Sequence, residues 1–121
     1  MNYNFDNERP IYVQLVEKIR LDIISGKLKS GERIPSVREL ALEVRVNPNT
    51  MQKALGQLED EGLLYTERTN GKYVTDNKEL IEKIKKELAL EKVNNFLEDM
   101  NNIGIDSKEI FKYLKELGGD K

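Results

Sequence analysis

Two short amphipathic segments held about three residues apart constrain this chain more than any other feature. Ser36-Val37-Arg38-Glu39 has the form of a capping box, with Ser36 as N-cap and Glu39 reaching back from the third helical position. Val37, Leu40, Ala41 and Val44 then mark a short helix, and Arg45-Val46 is a tight connection. Asn47 caps the next helix with Pro48 at its first position, where a missing N–H has no intrahelical partner to lose. Met51, Ala54, Leu55 and Leu58 form its buried stripe, and Gly62 ends it. Two short helices joined in this way predict a helix-turn-helix.

The flanks complete a fold. Upstream, Pro10 opens a helix whose apolar face is Tyr12, Leu15, Val16, Ile19 and Ile23, and Gly26 supplies its left-handed stop. The loop from Lys27 to Pro35 has room for only one or two strand-like residues. Downstream, residues 63–68 and 72–75 read as two strands. Asn70-Gly71 between them is a strong signal for a type I′ hairpin turn. Three helices followed by a hairpin predict a winged helix over residues 1–76. Residues 77–121 then predict a helical tail: a long helix over about 78–101, capped at Asp76-Asn77, and a short one capped by Asp106. Glu109 stands at N3 of the short helix, Ile105 is placed to staple against Ile110, and Gly118-Gly119 ends it. The expected class is mainly α (α+β), a winged helix-turn-helix domain with a two-helix tail.

Composition removes many chemistries. The 121 residues include no Cys and no His, which excludes disulfides, thiol nucleophiles, histidine triads and zinc fingers, and no metal site or cofactor is expected. No apolar run is long enough to span a membrane, and the start of the chain is polar and acidic where an export signal would be basic then apolar. The expected location is therefore the cytoplasm, with no membrane partner. Net charge is −2, which by itself argues against a simple basic nucleic-acid binder. The distribution argues differently. Between Lys27 and Leu58, six basic residues face three acidic ones, a local net of +3.

That positive stretch contains the second helix of the motif. Projected at about 100° per residue, its outer face carries Asn49, Gln52, Lys53 and Gly56 and no bulky hydrophobe. Asn and Gln pair bidentately with adenine, and Lys reaches guanine or phosphate. An exposed Gly56 would let backbone approach a phosphate closely. A plain solvated helix face would look the same in isolation. Arg38, however, lies in the first turn of its helix, where the dipole disfavours a cation, so its placement points to an anionic or guanine-bearing partner. Arg68 and Lys72 flank the hairpin tip, where a wing would meet a phosphate strand or minor groove; cations there also guard an exposed strand edge.

The ordered string Pro10-Ile11-Tyr12-Val13-Gln14, then residues 24–41 with Gly31-Glu32-Arg33-Ile34-Pro35-Ser36-Val37-Arg38-Glu39-Leu40-Ala41, resembles the GntR family of bacterial transcription factors. Val46-Asn47-Pro48-Asn49-Thr50, Leu58-Glu59-Asp60-Glu61-Gly62-Leu63 and the hairpin continue the likeness through residue 75. The resemblance implies a winged helix bound to double-stranded operator DNA, a base-reading arginine at Arg38, and DNA contacts from the recognition-helix start. In this chain that start is Asn47, Asn49, Thr50 and Gln52; Ser36 and Lys53, with Arg68, Asn70, Gly71 and Lys72 at the wing, complete the expected DNA-binding set from the residues themselves. Many members carry arginines in the recognition-helix start, and their wing tips are richer in glycine than Thr69-Asn70-Gly71.

Only 45 residues follow the winged helix. That resembles the short-tailed YtrA-like subfamily, whose two tail helices mediate dimerisation, and implies a homodimeric repressor of transporter operons. The residues agree: Ile81, Ile84 and Leu88 form one stripe, Ala89, Val93, Phe96 and Met100 a second, and Ile110, Phe111, Leu114 and Leu117 a third. Two helices cannot bury these alone, and a second copy solves the problem while matching a palindromic operator. Any small-molecule effector would bind between the tail helices or at the domain junction. Two other readings remain at this level. A winged helix can dock a protein instead of DNA, and salt dependence separates the two. An enzyme would need more than Asp76, Glu79 and Glu82, which sit at a helix start as dipole complements with no base–nucleophile pair beside them.

Overall fold

The computed structural model describes residues 1–68 and 70–118. Its elements run α1 (Ile11–Ile24), α2 (Val37–Val44), α3 (Pro48–Asp60), β1 (Leu64–Glu67), β2 (Gly71–Val74), α4 (Lys78–Asn102) and α5 (Ser107–Glu116). They form two compact units, Met1–Ile84 and Lys85–Lys121.

The first unit is a winged helix. Leu15, Ile19 and Ile23 of α1, Leu40 and Ala41 of α2, Met51, Leu55 and Leu58 of α3, and Leu64 and Val74 of the hairpin share one buried core. The start of α4 belongs to it. Ile81 and Ile84, expected on a pairing surface, instead lie half-buried against this core together with Leu80. Their spacing fits either role, and the core offered them a surface within the same chain.

Local signals set the helix ends. Pro10 is the N-cap of α1 and not its first helical residue; its carbonyl accepts from the Gln14 N–H at 3.3 Å. Ser36 Oγ accepts from the Glu39 N–H at 3.2 Å, and Asn47 Oδ1 from the Asn49 N–H at 2.8 Å. Asp106 Oδ1 accepts from the Glu109 N–H at 3.0 Å. The expected stop at Gly118-Gly119 is reached at Gly118; Gly119 lies outside the described residues.

The wing departs from the expected turn. Glu67 pairs with Gly71 and Leu64 with Val74, so three residues, 68–70, join the strands and Gly71 is part of β2. The core fixes this register. It buries Leu64 and Val74 as a pair and stacks Tyr65 on Tyr73 with ring centroids 5.6 Å apart. A turn centred on Asn70-Gly71 would break both pairings, because a register slip moves side chains to the wrong partners. The loop before α2 adds the expected strand-like fragment: Arg33 bridges to Tyr73, and the Ile34 N–H donates to the Lys72 carbonyl at 3.0 Å.

A feature outside the sequence reading lies at the N-terminus. Met1, Tyr3 and Phe5 point inward in alternation and pack against the core. The Tyr3 hydroxyl donates to Asp22 at 2.6 Å, and burial together with that bond holds the phenol well above its ordinary pKa. Gln14, fully buried on α1, accepts from the Asp6 N–H and donates to the carbonyls of Asp6 and Arg9. The two-residue alternation of Met1, Tyr3 and Phe5 was the available signal.

In the second unit, Ile110 is buried, so it is not available at the surface as a pairing residue. Leu88 and Met100 are half-buried. Val93, Phe96, Phe111 and Leu114 are exposed, as are Leu90, Leu97, Ile103 and Leu117. Leu90, Val93, Leu97 and Met100 follow a three-four-three spacing, the seam pattern of a coiled coil, which the stripe reading passed over.

Candidate nucleic-acid interface

The helix-turn-helix positions its polar side chains through its caps. Ser36 and Asn47 use their side chains to satisfy the first turns of α2 and α3 and remain exposed. Arg38, one residue into α2, is exposed and borders a surface hollow of about 720 Å³ with Ala41, Leu42, Arg45, Val46 and Pro48. Leu42 is 82% exposed there. The hollow thus joins a cation of α2 to the first turn of α3.

On α3, Asn49, Gln52 and Lys53 are exposed and Thr50 is half-buried. Asn49, Thr50 and Lys53 line a second hollow, of about 330 Å³, with Ile11 and Tyr12 of α1. Lys53 Nζ lies 3.7 Å from the centre of the Tyr12 ring. That contact orients the ammonium without neutralising it. Gly56 is half-buried and not fully exposed as expected, although nothing lies within 4 Å of a would-be Cβ there.

At the wing, Arg68 and Asn70 are exposed, and Thr69 lies outside the described residues. Lys72 does not stand free, as a phosphate-contacting role would require. Its ammonium donates to Glu59 Oε1 at 2.7 Å and to Thr66 Oγ1 at 3.1 Å. Thr66 also donates to Glu59. The acidic end of α3 therefore captures the Lys72 cation and fastens the wing to the recognition helix. Arg33 occupies the wing instead, its guanidinium packed near Gly71, where a would-be Cβ would meet Nε at 3.4 Å. Arg33 also lines a hollow of about 270 Å³ with Ile34, Pro35, Ser36 and Glu39. Arg33 and Arg45 belong to the positive stretch, but nothing local to either residue assigned it to the interface.

The Glu59 carboxyl feels two opposing effects. Burial raises its pKa, but the hydrogen bonds from Lys72 and Thr66 and the Lys72 charge outweigh burial and hold it below the usual carboxylate value. A depressed folded value means stability that is full above the unfolded pKa and lost as pH falls through the folded one. Glu59→Gln should therefore flatten the acid side of the stability–pH profile. At neutral pH it should cost less than about 1 kcal/mol, since the pair is partly open to solvent. Thermal melts between about pH 3 and pH 7 check this, and an unchanged acid limb would contradict it.

Among the described residues, Arg33, Arg38, Arg45 and Arg68 make no ion pair, whereas Arg9, Arg20 and Lys72 each hold a carboxylate. The arginines without an ion pair thus lie on the helix-turn-helix and wing of a chain whose net charge is negative. Such an arrangement suits a polyanion: arginine forks match phosphate and guanine, and the Asn and Gln of α3 match base edges. No group of His, Cys, Asp or Glu that could hold a metal occurs among the described residues. Among the described residues no helix is long and apolar enough to cross a membrane.

Comparison with known proteins agrees with this geometry. Residues 11–74 match the family described as bacterial regulatory proteins, gntR family. The HTH-type transcriptional repressor YtrA of Bacillus subtilis (strain 168) is 33% identical over 112 residues, 92% of this chain and 86% of that protein. A GntR family transcriptional regulator from Listeria monocytogenes has a TM-score of 0.86 at 38% identity, covering 93% of this chain and 98% of its own. The AraR DNA-binding domain, solved in complex with operator ORX1, has a TM-score of 0.55 at 30% identity over 62% of this chain and 95% of its own. The family match runs from α1 to β2, the elements that build the interface, and the YtrA and Listeria matches extend over nearly the whole chain: this protein belongs to the GntR family of bacterial transcriptional regulators.

Proposed function

We propose that the chain is a homodimeric repressor that binds a palindromic operator and acts by occluding a promoter. One observation carries the reading: the arginines left without carboxylate partners cluster on the helix-turn-helix and wing of an acidic protein. Arg38 is assigned to a guanine. Asn47, Asn49, Thr50, Gln52 and Lys53 meet base edges and phosphates at the start of α3, and Arg68 and Asn70 meet the backbone at the wing. Lys72 acts indirectly by holding the wing on Glu59.

Residues 85–121 pair the two copies. Support comes from the exposed apolar side chains of the tail, among them Leu90, Val93, Phe96, Leu97, Phe111 and Leu114. So many large apolar groups in so short a segment exceed what a monomer ordinarily leaves in water. The protein works in the cytoplasm and carries out no catalysis. A transporter operon is the expected target, on the strength of the likeness to the short-tailed subfamily.

Selection of duplexes from a random pool tests this reading. The expected product is an inverted repeat, because two-fold related protomers read two-fold related half-sites. Enrichment of a single unrepeated half-site, or of no sequence at all, would contradict it. The second outcome would favour a winged helix that docks a protein.

A further inference from the structure

The chain ends its helices in two different ways. α1, α3 and α4 are each followed by a glycine with positive φ, at Gly26, Gly62 and Gly104. α2 ends on Arg45 at φ 64°, the one non-glycine residue with positive φ among the described residues. The hydrogen bonding at this end is the same as at the ends of α3 and α4. The Val46 N–H donates to the Ala41 carbonyl at 2.9 Å, as the Leu63 N–H does to Leu58 and the Ile105 N–H to Met100. This six-to-one closure places its left-handed residue where glycine is preferred, because a Cβ is crowded there. Arginine at this position thus carries a conformational penalty that the rest of the chain avoids.

A cation at a helix C-terminus interacts favourably with the dipole, but the effect is small at an exposed site and screened by salt. It does not single out this turn, since α5 also carries a basic residue, Lys115, in its last turn and is followed by a glycine, Gly118, at positive φ. The guanidinium has no ion pair among the described residues. It borders the same 720 Å³ hollow as Arg38 and Pro48, between the base-reading arginine and the first turn of the recognition helix. Strained backbone that persists where a substitution would relieve it tends to mark function.

We propose that Arg45 is a DNA-phosphate contact, held by the left-handed end of α2 beside Arg38 so that it clamps the backbone next to the base Arg38 reads. The inference rests on the DNA-binding reading and adds a residue to it. Losing one phosphate contact should lower log K against log salt by about 0.9 per protomer. At about 0.1 M salt that corresponds to roughly five- to tenfold weaker binding per contact.

The test uses the full chain and three variants: Arg45→Gly, Arg45→Asn and Arg45→Lys. Binding is titrated on a selected duplex and on a random duplex of the same length, at several salt concentrations, alongside thermal melts. Arg45→Gly and Arg45→Asn remove the charge but accept the left-handed backbone. Arg45→Gly should melt at or above the wild-type temperature yet bind both duplexes more weakly, with a shallower salt slope. Arg45→Asn should bind in the same way. Arg45→Lys should keep the wild-type slope. A wild-type slope in Arg45→Gly would overturn the proposal and leave Arg45 a helix cap. Loss on the selected duplex alone would also overturn it, making Arg45 a base reader. A markedly lower melting temperature in Arg45→Gly would overturn the argument from strain. If wild type itself binds neither duplex, the DNA-binding reading fails first, and the two failures are distinguishable.

Discussion

Phe96→Asp should convert the protein from a dimer to a monomer at micromolar concentration and weaken operator binding at least ~100-fold, since linked half-sites lose their effective concentration. Phe96 is 41% exposed in the isolated chain, so its carboxylate replacement stays hydrated in the protomer. In an interface the same carboxylate would be stripped of water without a partner, a cost of several kcal/mol. The substitution therefore separates assembly from folding. Circular dichroism and thermal melting should change little, while sedimentation velocity should show the smaller species. An unchanged oligomeric state would remove Phe96 from the interface, and a monomeric wild type would remove the interface itself.

Arg38→Ala should cost about 1–3 kcal/mol on the operator and relax preference at one base pair per half-site. The guanidinium is exposed, so removing it leaves no buried group unsatisfied, and the fold should survive. A guanine-substituted operator should bind wild type and variant with nearly equal affinity, because the base that Arg38 reads is absent from it. Equal losses on operator, substituted operator and random duplex would make Arg38 a backbone clamp. Specificity would then fall to Asn49, Gln52 and Lys53, or to DNA shape.

The parts of the fold that were legible in the sequence are those set by contacts a few residues apart. Ser36 and Asn47 cap α2 and α3 within three residues of themselves, and Asp106 caps α5 in the same way. The wing's existence was legible, but its register was not. Asn70-Gly71 is a strong local turn signal, yet the burial of Leu64 with Val74 and the stack of Tyr65 on Tyr73 outweigh it. Ile81 and Ile84 show a further limit: a stripe on a helix tells that a face is buried, not against what. Lys72 shows another. Its charge was visible in the sequence, whereas its capture by Glu59, thirteen residues away, depends on the fold. The strained turn at Arg45 left no sequence mark beyond an arginine between two helices.

Binding of double-stranded DNA by a dimer should depend on both base sequence and charge. Titrating the wild-type protein against a selected inverted repeat and a scrambled duplex, from about 50 to 200 mM salt, tests it most directly. The expected result is two protomers per inverted repeat, a clear preference over the scrambled duplex at every salt concentration, and affinity that falls steeply as salt rises. Equal affinity for the two duplexes, or binding indifferent to salt, would contradict it.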